Sequence, residues 1–387
     1  MYILTAYKDN EKIFTITKSM TKNQLLLLRN TSKFTCPQCE TPLRLKIGKV
    51  VTPHFAHIVL TNCLTSFSEK ESPTHLIGKQ QLAEFFTRVG CKVSVEAYLP
   101  KISQRPDLLV RNKRNIFAIE FQCSVIPVDD IEKRTAGYLR VKIPSIWLLR
   151  TPKNIQLITK GISIIKLSKF MQAFIKNLPS SSSTIITYDP TTANFFYFSQ
   201  LVHISGSSFL AKIRALSIEQ QTFPFAQVKI LNREEGEGYW KLFKNKRLRF
   251  LQNRIRSSSF GVMDRFLKNC YENKILPENL PLYIGFPIQD SQVIQAHLVE
   301  WQFALICALK QHHIDFLDIT DKWLESFILT QCKVTDFEKA ITVIEDYCKF
   351  LNMLDFNINL PISAVFISES RLLEYFEQQI VAKPCEN

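Results

Sequence analysis

Two acidic residues and one amide form the pattern in this 387-residue chain that most directly suggests chemistry. Asp107 follows Pro106, and after 12 intervening residues the chain reads Glu120, Phe121 and Gln122. Carboxylates on neighbouring strands can bind one Mg²⁺ or Mn²⁺ ion, which polarises a phosphodiester and generates hydroxide at neutral pH. Because strand side chains alternate, Glu120 and Gln122 are predicted to share one face, with Phe121 in the core. Gln122 is then placed to orient the attacking water.

A helix that begins at Ser72 is predicted to carry two more catalytic side chains. Serine followed by proline is a typical helix start, and Gly90 is a typical stop. His75 and Lys79 are four residues apart, so they share a helix face and are predicted to contact the scissile phosphate or the metal-bound water. Glu71, just before the helix, is a candidate further Mg²⁺ ligand. The alternatives are a histidine satisfied by the backbone and a solvated lysine.

A Cys/His cluster near the N-terminus has the residue types of a zinc site. Cys36 and Cys39 form a CxxC knuckle, and His54 and His57 follow after 14 residues. Zn²⁺ prefers four sulfur or nitrogen ligands in a tetrahedron, and a CxxC pair places both thiolates on one side of the ion. A structural site is expected, because four ligands leave no open position. Cys63 can replace one histidine, and the alternative is two buried thiols with two unrelated histidines.

A basic and aromatic helix is the candidate nucleic-acid surface. No acidic residue occurs from 238 to 263, and the basic residues there are Lys241, Lys244, Lys246, Arg247, Arg249, Arg254 and Arg256. The apolar residues predicted to pack on the protein are Trp240, Phe243, Leu248, Leu251 and Ile255. The basic arc is predicted to face solvent and neutralise DNA phosphates, and Tyr239 is a candidate for stacking on a base. The alternative is an ordinary solvated face.

Three further side chains are predicted to contact the DNA backbone. Arg105 directly precedes the Pro-Asp pair, so it lies beside the candidate metal site. Arg134 and Tyr138 have the same four-residue spacing as the candidate pair on the preceding helix, and they are expected on one helix face. For Arg134 the alternative is a solvated surface position.

The elements that must position these residues can be read from hydrophobic patterning and turn signals. Alternating segments at 2–7 and 12–17 predict two strands joined by a turn at Asp9-Asn10. The region that follows the first helix predicts strands at 92–98, 106–111 and 115–122, a helix at 128–141 and a strand at 145–149. Helices combined with strands in this order predict an α/β fold with a mixed sheet.

The second half of the chain reads differently. A serine-rich run at 179–184 predicts a linker, and 185–205 predicts a hairpin. Helices are predicted at 239–271, 292–312, 321–332 and 335–351. Three domains are therefore expected: an N-terminal strand and zinc-like module at 1–66, a nuclease-like domain at 67–178 and a mostly helical domain with the basic helix at 179–387.

Composition narrows the class of partner. The 49 Lys and Arg exceed the 35 Asp and Glu, which gives a net charge of +14 and favours an anionic partner such as nucleic acid. Charge scattered for solubility is the alternative. The N-terminus has no secretion pattern and no run is long enough for a membrane helix, so a cytoplasmic protein is expected. Its ten cysteines then suggest buried thiols or metal ligands rather than disulfides.

These motifs together resemble the competence protein CoiA family and the PD-(D/E)xK restriction-endonuclease-like superfamily. The resemblance is densest in the first half, where the matching segments are CPQC at 36–39, PHFAH at 53–57, ESPTH at 71–75 with Lys79, RPD at 105–107, EFQCS at 120–124, Arg134 with Tyr138, and Ile146-Trp147. In the second half GFP at 285–287 and EWQ at 300–302 also fit.

The resemblance implies a restriction-endonuclease-like mixed sheet flanked by helices. It implies a cytosolic protein that acts on incoming transforming DNA during recombination, with single-stranded or branched DNA and recombination proteins as partners. Asp107 and Glu120 would hold Mg²⁺, and Gln122 would take the place of the family lysine without its positive charge. Two alternatives stay open: a DNA-binding or recombination-mediator protein that no longer cuts, and an interaction protein whose helical half recruits recombination factors.

Overall fold

The fold is taken from a computed structural model of the chain. It describes residues 3–10, 12–48, 52–58, 72–153, 161–175, 184–225, 231–256 and 263–380. Two candidate metal ligands, Cys63 and Glu71, lie outside these ranges, as does the predicted linker at 179–184 apart from Thr184.

The strands in the described residues are β1 Thr5–Lys8, β2 Lys12–Thr15, β3 Phe34–Thr35, β4 Pro42–Lys46, β5 His54–His57, β6 Lys92–Val95, β7 Leu108–Asn112, β8 Asn115–Gln122, β9 Ser145–Arg150, β10 Gly161–Lys166, β11 Ile185–Asp189, β12 Asn194–Ser205 and β13 Ser208–Ser217. The α-helices are α1 Lys22–Thr31, α2 Pro73–Arg88, α3 Val128–Arg140, α4 Lys169–Ala173, α5 Arg233–Arg256, α6 Arg265–Glu272, α7 Leu298–His312, α8 Asp321–Gln331, α9 Phe337–Met353 and α10 Glu369–Ile380.

The chain forms two compact units. The first comprises Met1–Ile158, Ile185–Tyr197 and Arg214–Gln227, and the second comprises Thr159–Thr184, Phe198–Ile213 and Val228–Asn387. The Cys/His cluster and the PD…ExQ pattern both belong to the first unit. The basic helix belongs to the second.

The N-terminal part of the first unit is a sheet with strand order β2-β1-β3-β4-β5. Asp9 and Asn10 follow β1 with φ values of 53° and 63°, and Lys8 pairs with Lys12 in an antiparallel ladder, so the predicted turn between β1 and β2 is confirmed. The rings of Phe34 and Phe55 pack in the core with centroids 4.8 Å apart. Helix α1, which was not predicted, begins with a capping box between Thr21 and Gln24.

The rest of the first unit contains a mixed sheet with strand order β11-β9-β8-β7-β6. β6, β7 and β8 pair antiparallel, whereas β9 pairs parallel to both β8 and β11. Helices α2 and α3 pack against this sheet. The predicted restriction-endonuclease-like mixed sheet is confirmed, and β8 has the predicted bounds.

A glycine brings helix α2 close to the strand that carries the ExQ segment. Phe121 points into the core and is 1% exposed, as predicted. A Cβ atom at Gly78 would lie 2.2 Å from Cε1 of Phe121, too close to be accommodated without a shift of the helix or of the buried ring. The absence of a side chain at Gly78 therefore lets α2 hold His75 and Lys79 over β8.

The second unit is mostly helical, as predicted, and its core contains large buried side chains such as Trp301, Tyr283 and Tyr347. It also contains β10 and the parts of β13 and β12 that pair beside it. The single helix predicted at 239–271 is wrong, because α5 ends at Arg256 and α6 starts anew after Asp264. The carboxylate of Asp264 caps α6 by accepting from two backbone amides.

None of the helices in the described part of the chain is long and apolar enough to cross a membrane.

Candidate functional site

The sheet register brings the two predicted metal ligands together. Leu108 of β7 pairs with Ile119 of β8 in an antiparallel ladder. Continuing this register by one residue places Asp107 opposite Glu120. Opposed residues of an antiparallel pair project to the same face with Cβ atoms about 5 Å apart. The 12-residue spacing is thus the length of a hairpin that returns the chain to the same edge position.

Asp107 is surrounded by donors and positive charge. Its Oδ2 atom accepts from His75 Nε2 at 3.1 Å and from the Phe121 amide at 2.8 Å. The ammonium of Lys79 lies 3.6 Å from Oδ1. Burial by itself would raise the pKa of Asp107, but the charges of His75 and Lys79 and the two hydrogen bonds outweigh it and hold the pKa well below its usual range.

Glu120 is held by a different pair of side chains. It is 3% exposed, and its Oε1 atom accepts from both the Arg134 guanidinium and the Tyr138 hydroxyl. Burial raises the pKa of Glu120, and the nearby charge of Asp107 adds to this, while Arg134 and Tyr138 act in the opposite direction. Glu120 is therefore the harder of the two carboxylates to ionise, and positive charge added beside it would favour its ionised form.

The unused oxygens suit a divalent ion. In the described residues each carboxylate commits one oxygen to hydrogen bonds: Oδ2 of Asp107 and Oε1 of Glu120. Among the residues that the structure describes, Oδ1 of Asp107 and Oε2 of Glu120 accept no hydrogen bond, and both belong to side chains on the same face. Hard oxygen donors of this kind are the ligands that Mg²⁺ and Mn²⁺ prefer, so these residues fit the predicted ion.

Helix α2 starts as predicted. Ser72 accepts from the backbone amide of His75 at 3.2 Å, which caps the helix and fixes its first turn. The backbone of His75 is therefore satisfied by the cap while its ring bonds Asp107. Lys79, one turn later, is fully buried, so the solvated position considered for it is excluded. Its burial also corrects the expectation that it contacts the phosphate.

The placement of Arg134 and Tyr138 corrects the prediction that they contact DNA. Tyr138 is 0% exposed, and the Arg134 guanidinium lies over the ring of Trp147 at 5.7 Å while it pairs with Glu120. The burial of Glu120 explains this arrangement, because a buried carboxylate needs a cation and hydrogen-bond donors close to it. Both side chains therefore act on Glu120.

The remaining predicted residues of this site are less constrained. The side-chain amide of Gln122 donates to the Ser124 carbonyl at 2.9 Å, and the residue is half-buried. Arg105 is also half-buried. Their predicted roles toward water and DNA stay predictions.

Sequence reasoning missed Glu96, which follows β6. It is 2% exposed, and its Oε1 atom accepts from the ammonium of Lys79 at 2.5 Å. Its φ of 53° is in the left-handed region, which non-glycine residues adopt only where the surroundings require it. An acidic residue at the end of a strand with no matching motif gives no chemical signal in the sequence.

Three of the four predicted zinc ligands converge in the N-terminal sheet. The ligand atoms of Cys36, Cys39 and His57 all lie within 4.8 Å of one another, and Cys39 Sγ is 3.3 Å from His57 Nε2. His54 does not join them, and its Nδ1 donates to the Thr52 carbonyl at 2.9 Å. Both histidines lie on β5, where an odd spacing puts side chains on opposite faces, so the predicted fourth ligand is wrong.

Not all of the basic side chains of helix α5 face solvent, because some bind groups within the second unit. Arg247 is 4% exposed and donates to the carbonyls of Leu280, Pro281 and Ile284, which corrects the prediction that it faces solvent. Burial lowers the pKa of Arg247 to about 10. Tyr239 is also buried and donates to the Gln200 carbonyl, so it cannot stack on a base.

Other residues of α5 also differ from prediction. Lys244 pairs with Glu369, and Arg254 pairs with Asp264 and Glu300. Among the predicted apolar residues Trp240, Phe243 and Leu251 are buried, but Leu248 and Ile255 are 41% and 45% exposed. The basic side chains without an ion pair among the described residues, here called the α5 basic face, are Lys241, Lys246, Arg249 and Arg256. At about 100° per residue they fall within one arc of about 140°.

The mixed sheet, with one carboxylate on β8 and the other just before the neighbouring strand β7, defines a protein with a restriction-endonuclease-like fold. Comparison with family models assigns the chain to a narrower class. The CoiA N-terminal domain matches residues 17–66, the CoiA nuclease-like domain residues 71–228 and the CoiA C-terminal domain residues 238–385. The chain belongs to the competence protein CoiA family, as the resemblance predicted.

One relative illustrates the extent of the similarity. A competence protein CoiA from Bacillus subtilis (strain 168) is 27% identical over 333 residues, which cover 83% of this chain and 82% of that protein. No solved structure matches the chain significantly.

The geometry of the Cys/His cluster predicts which residues retain a metal. Cys36→Ser, Cys39→Ser and His57→Ala should each remove most of the tightly bound metal from the purified full-length protein, because each deletes a converging ligand. Inductively coupled plasma mass spectrometry measures the content. His54→Ala is the matched control and should keep its metal, since His54 points to the opposite face. A protein that loses metal with His54→Ala but not with His57→Ala would contradict the assignment.

Proposed function

We propose that this protein is a divalent-metal-dependent DNA nuclease that acts on incoming DNA during natural transformation. The observation that supports it best is the pair of carboxylates that face the same side of the sheet, Asp107 just before β7 and Glu120 on β8, each with one oxygen that accepts no hydrogen bond in the described residues. Oxygens of two carboxylates that remain open on one face are the ligands that a divalent ion prefers. Membership of a family with a nuclease-like domain supports the same reading.

In this proposal Asp107 and Glu120 hold Mg²⁺ or Mn²⁺, and Glu71 is a further candidate ligand outside the described residues. The ion would supply a polarised phosphate and an activated water. His75 is the candidate for a proton on the attacking or leaving oxygen, since its ring is partly exposed beside Asp107. Lys79 is a positioning residue whose charge keeps Asp107 ionised from behind. Gln122 would orient the water.

The arrangement also offers partial compensation for the missing family lysine. Gln122 brings no positive charge, but the buried ammonium of Lys79 lies 3.6 Å from the carboxylate of Asp107. Arg134 adds a second fixed cation beside Glu120. Charge stabilisation at the reacting phosphate would then come from the ion and these two fixed side chains.

DNA is the proposed partner, single-stranded or branched, together with recombination proteins. The net charge of +14 and the α5 basic face support a polyanion. Zn²⁺ is the proposed ion of the Cys36, Cys39 and His57 cluster, because two thiolates and an imidazole are the ligands that it prefers, and Cys63 is the candidate for a fourth. Its role would be structural.

One observation favours a non-cleaving DNA-binding protein as the second candidate. Gln122 is neutral where the family has a lysine, and its side-chain amide already donates to the Ser124 carbonyl at 2.9 Å. A mediator that holds DNA on the same scaffold would need the basic face but not the paired carboxylates.

The carboxylates are tested by isosteric substitution. Asp107→Asn and Glu120→Gln should each lower Mg²⁺-dependent cleavage of labelled single-stranded, duplex or branched DNA by at least about a hundredfold, because an ion ligand contributes several kcal/mol to the transition state. Asp129→Asn, an exposed position on α3, is the matched control and should cleave normally. EDTA should abolish activity. Cleavage that persists in both variants, or is never seen with Mg²⁺ or Mn²⁺, would refute the nuclease and leave the binding protein.

The α5 basic face is tested by charge reversal. Lys241→Glu combined with Arg249→Glu should weaken DNA binding and reduce the slope of log K against log salt by about 0.7 per lost contact for single strands and about 0.9 for duplex. Lys322→Glu combined with Lys333→Glu makes the same charge change at exposed positions elsewhere in the second unit. Equal slopes for the two double variants would show that α5 does not contact DNA.

A further inference from the structure

Glu96 joins three parts of the first unit through one buried carboxylate. Oε1 accepts from the ammonium of Lys79 at 2.5 Å. Oε2 accepts from the backbone amides of Leu4 at 2.9 Å and Thr5 at 3.2 Å, where the N-terminal sheet begins. The backbone amide of Glu96 donates to the Asp107 carbonyl at 2.9 Å. The residue therefore contacts the N-terminal sheet, helix α2 and the strand end that carries a candidate metal ligand.

Lys79 pairs more closely with Glu96 than with Asp107. Lys79 is fully buried, and a buried ammonium requires a carboxylate close by. Glu96 lies at 2.5 Å from it, whereas Asp107 lies at 3.6 Å. Glu96 thus takes the close ion pair, and Asp107 receives the charge of Lys79 without being consumed by a hydrogen bond to it. This leaves Oδ1 of Asp107 for an ion.

We propose that Glu96 is a positioning residue that sets Lys79 against Asp107 and ties this placement to the N-terminal sheet. The proposal rests on the proposed nuclease function and deepens it. The first strand of the Cys/His module supplies backbone amides that fix the Glu96 carboxylate, and the carboxylate fixes the lysine. The module is then required for the activity of the nuclease-like core through a defined hydrogen-bond path.

A carboxylate is the group that this path requires. It accepts at both ends, from an ammonium on one side and from two amides on the other. A neutral amide is a weaker acceptor than a carboxylate and has a single acceptor atom, so Glu96→Gln weakens the bonds at both ends and turns an N–H group toward one of them. The substitution keeps the size of the side chain and weakens the connection, which makes it a sharp probe. Glu96→Asp keeps the charge but is one methylene shorter, so it should retain the ion pair better than the bonds to Leu4 and Thr5.

The kinetic test is a double-mutant cycle on the full-length protein. Glu96→Gln should lower kcat for Mg²⁺-dependent DNA cleavage at least about tenfold with little change in KM, and Glu96→Asp should fall between it and the wild type. In a Lys79→Met background, Glu96→Gln should cause no further loss, because it acts through the lysine. Gln80→Met is the matched control and should keep full activity, since it removes only a hydrogen bond from α2 to the Ile16 carbonyl.

The second measurement is hydrogen exchange of the Leu4 and Thr5 amides, which does not need cleavage. Glu96→Gln and Glu96→Asp should each accelerate exchange of these amides at least about tenfold. Lys79→Met should do so as well, because a buried carboxylate without its ammonium partner is destabilised and holds the two amides less firmly. If Glu96→Gln does not fold, Glu96→Asp carries both measurements.

The outcomes separate the two proposals. A wild type that cleaves, with Glu96→Gln unaffected or additive with Lys79→Met, overturns the role of Glu96 and leaves the nuclease standing. A wild type that never cleaves overturns the nuclease, and the exchange data then decide on Glu96: acceleration by Lys79→Met supports the path, and unchanged exchange overturns it.

Discussion

The placement of two carboxylates opposite each other on one face of the sheet is the constraint on which the rest of the nuclease-like core depends. Asp107 and Glu120 face the same side of the sheet, where desolvation and mutual repulsion both oppose ionisation. Side chains from two helices offset this: Lys79 and Arg134, from α2 and α3, bring positive charge, and His75 of α2 contacts Asp107. An added divalent ion would complete the compensation. The helices are thus placed as much by electrostatics as by packing.

The same constraint explains the close approach of α2 to β8. The amide of Phe121 donates to Asp107, the ring of Phe121 fills the core, and the space above that ring is left by Gly78. A larger residue at 78 would displace the helix or the Phe121 ring and so disturb the contacts of His75 and Lys79 with Asp107. Packing and charge compensation are therefore satisfied by one short stretch of helix, which also meets Glu96 and the N-terminal sheet.

Much of this arrangement could be predicted from sequence because its signals are local. Alternation along 115–122, the Ser-Pro helix start and the spacing of the acidic pair gave the mixed sheet and the convergence of Asp107 with Glu120. What failed depends on tertiary contacts. Arg247 and Arg134 look like solvent-facing cations, yet each is buried against acceptors supplied by distant segments. The prediction for His54 failed because the spacing of His54 and His57 is typical of a metal-binding motif, whereas on strand β5 it puts the two side chains on opposite faces.

The central claim, that Asp107 and Glu120 together hold a divalent ion, is tested most directly by anomalous diffraction from crystals soaked in Mn²⁺. The account predicts an anomalous peak within about 2.5 Å of one oxygen of each carboxylate, a typical range for oxygen ligands of such ions. Asp107→Asn crystals should lack the peak. A wild-type structure that binds Mn²⁺ elsewhere only, with the Glu120 carboxylate still closed against Arg134 and no density between the two side chains, would contradict it.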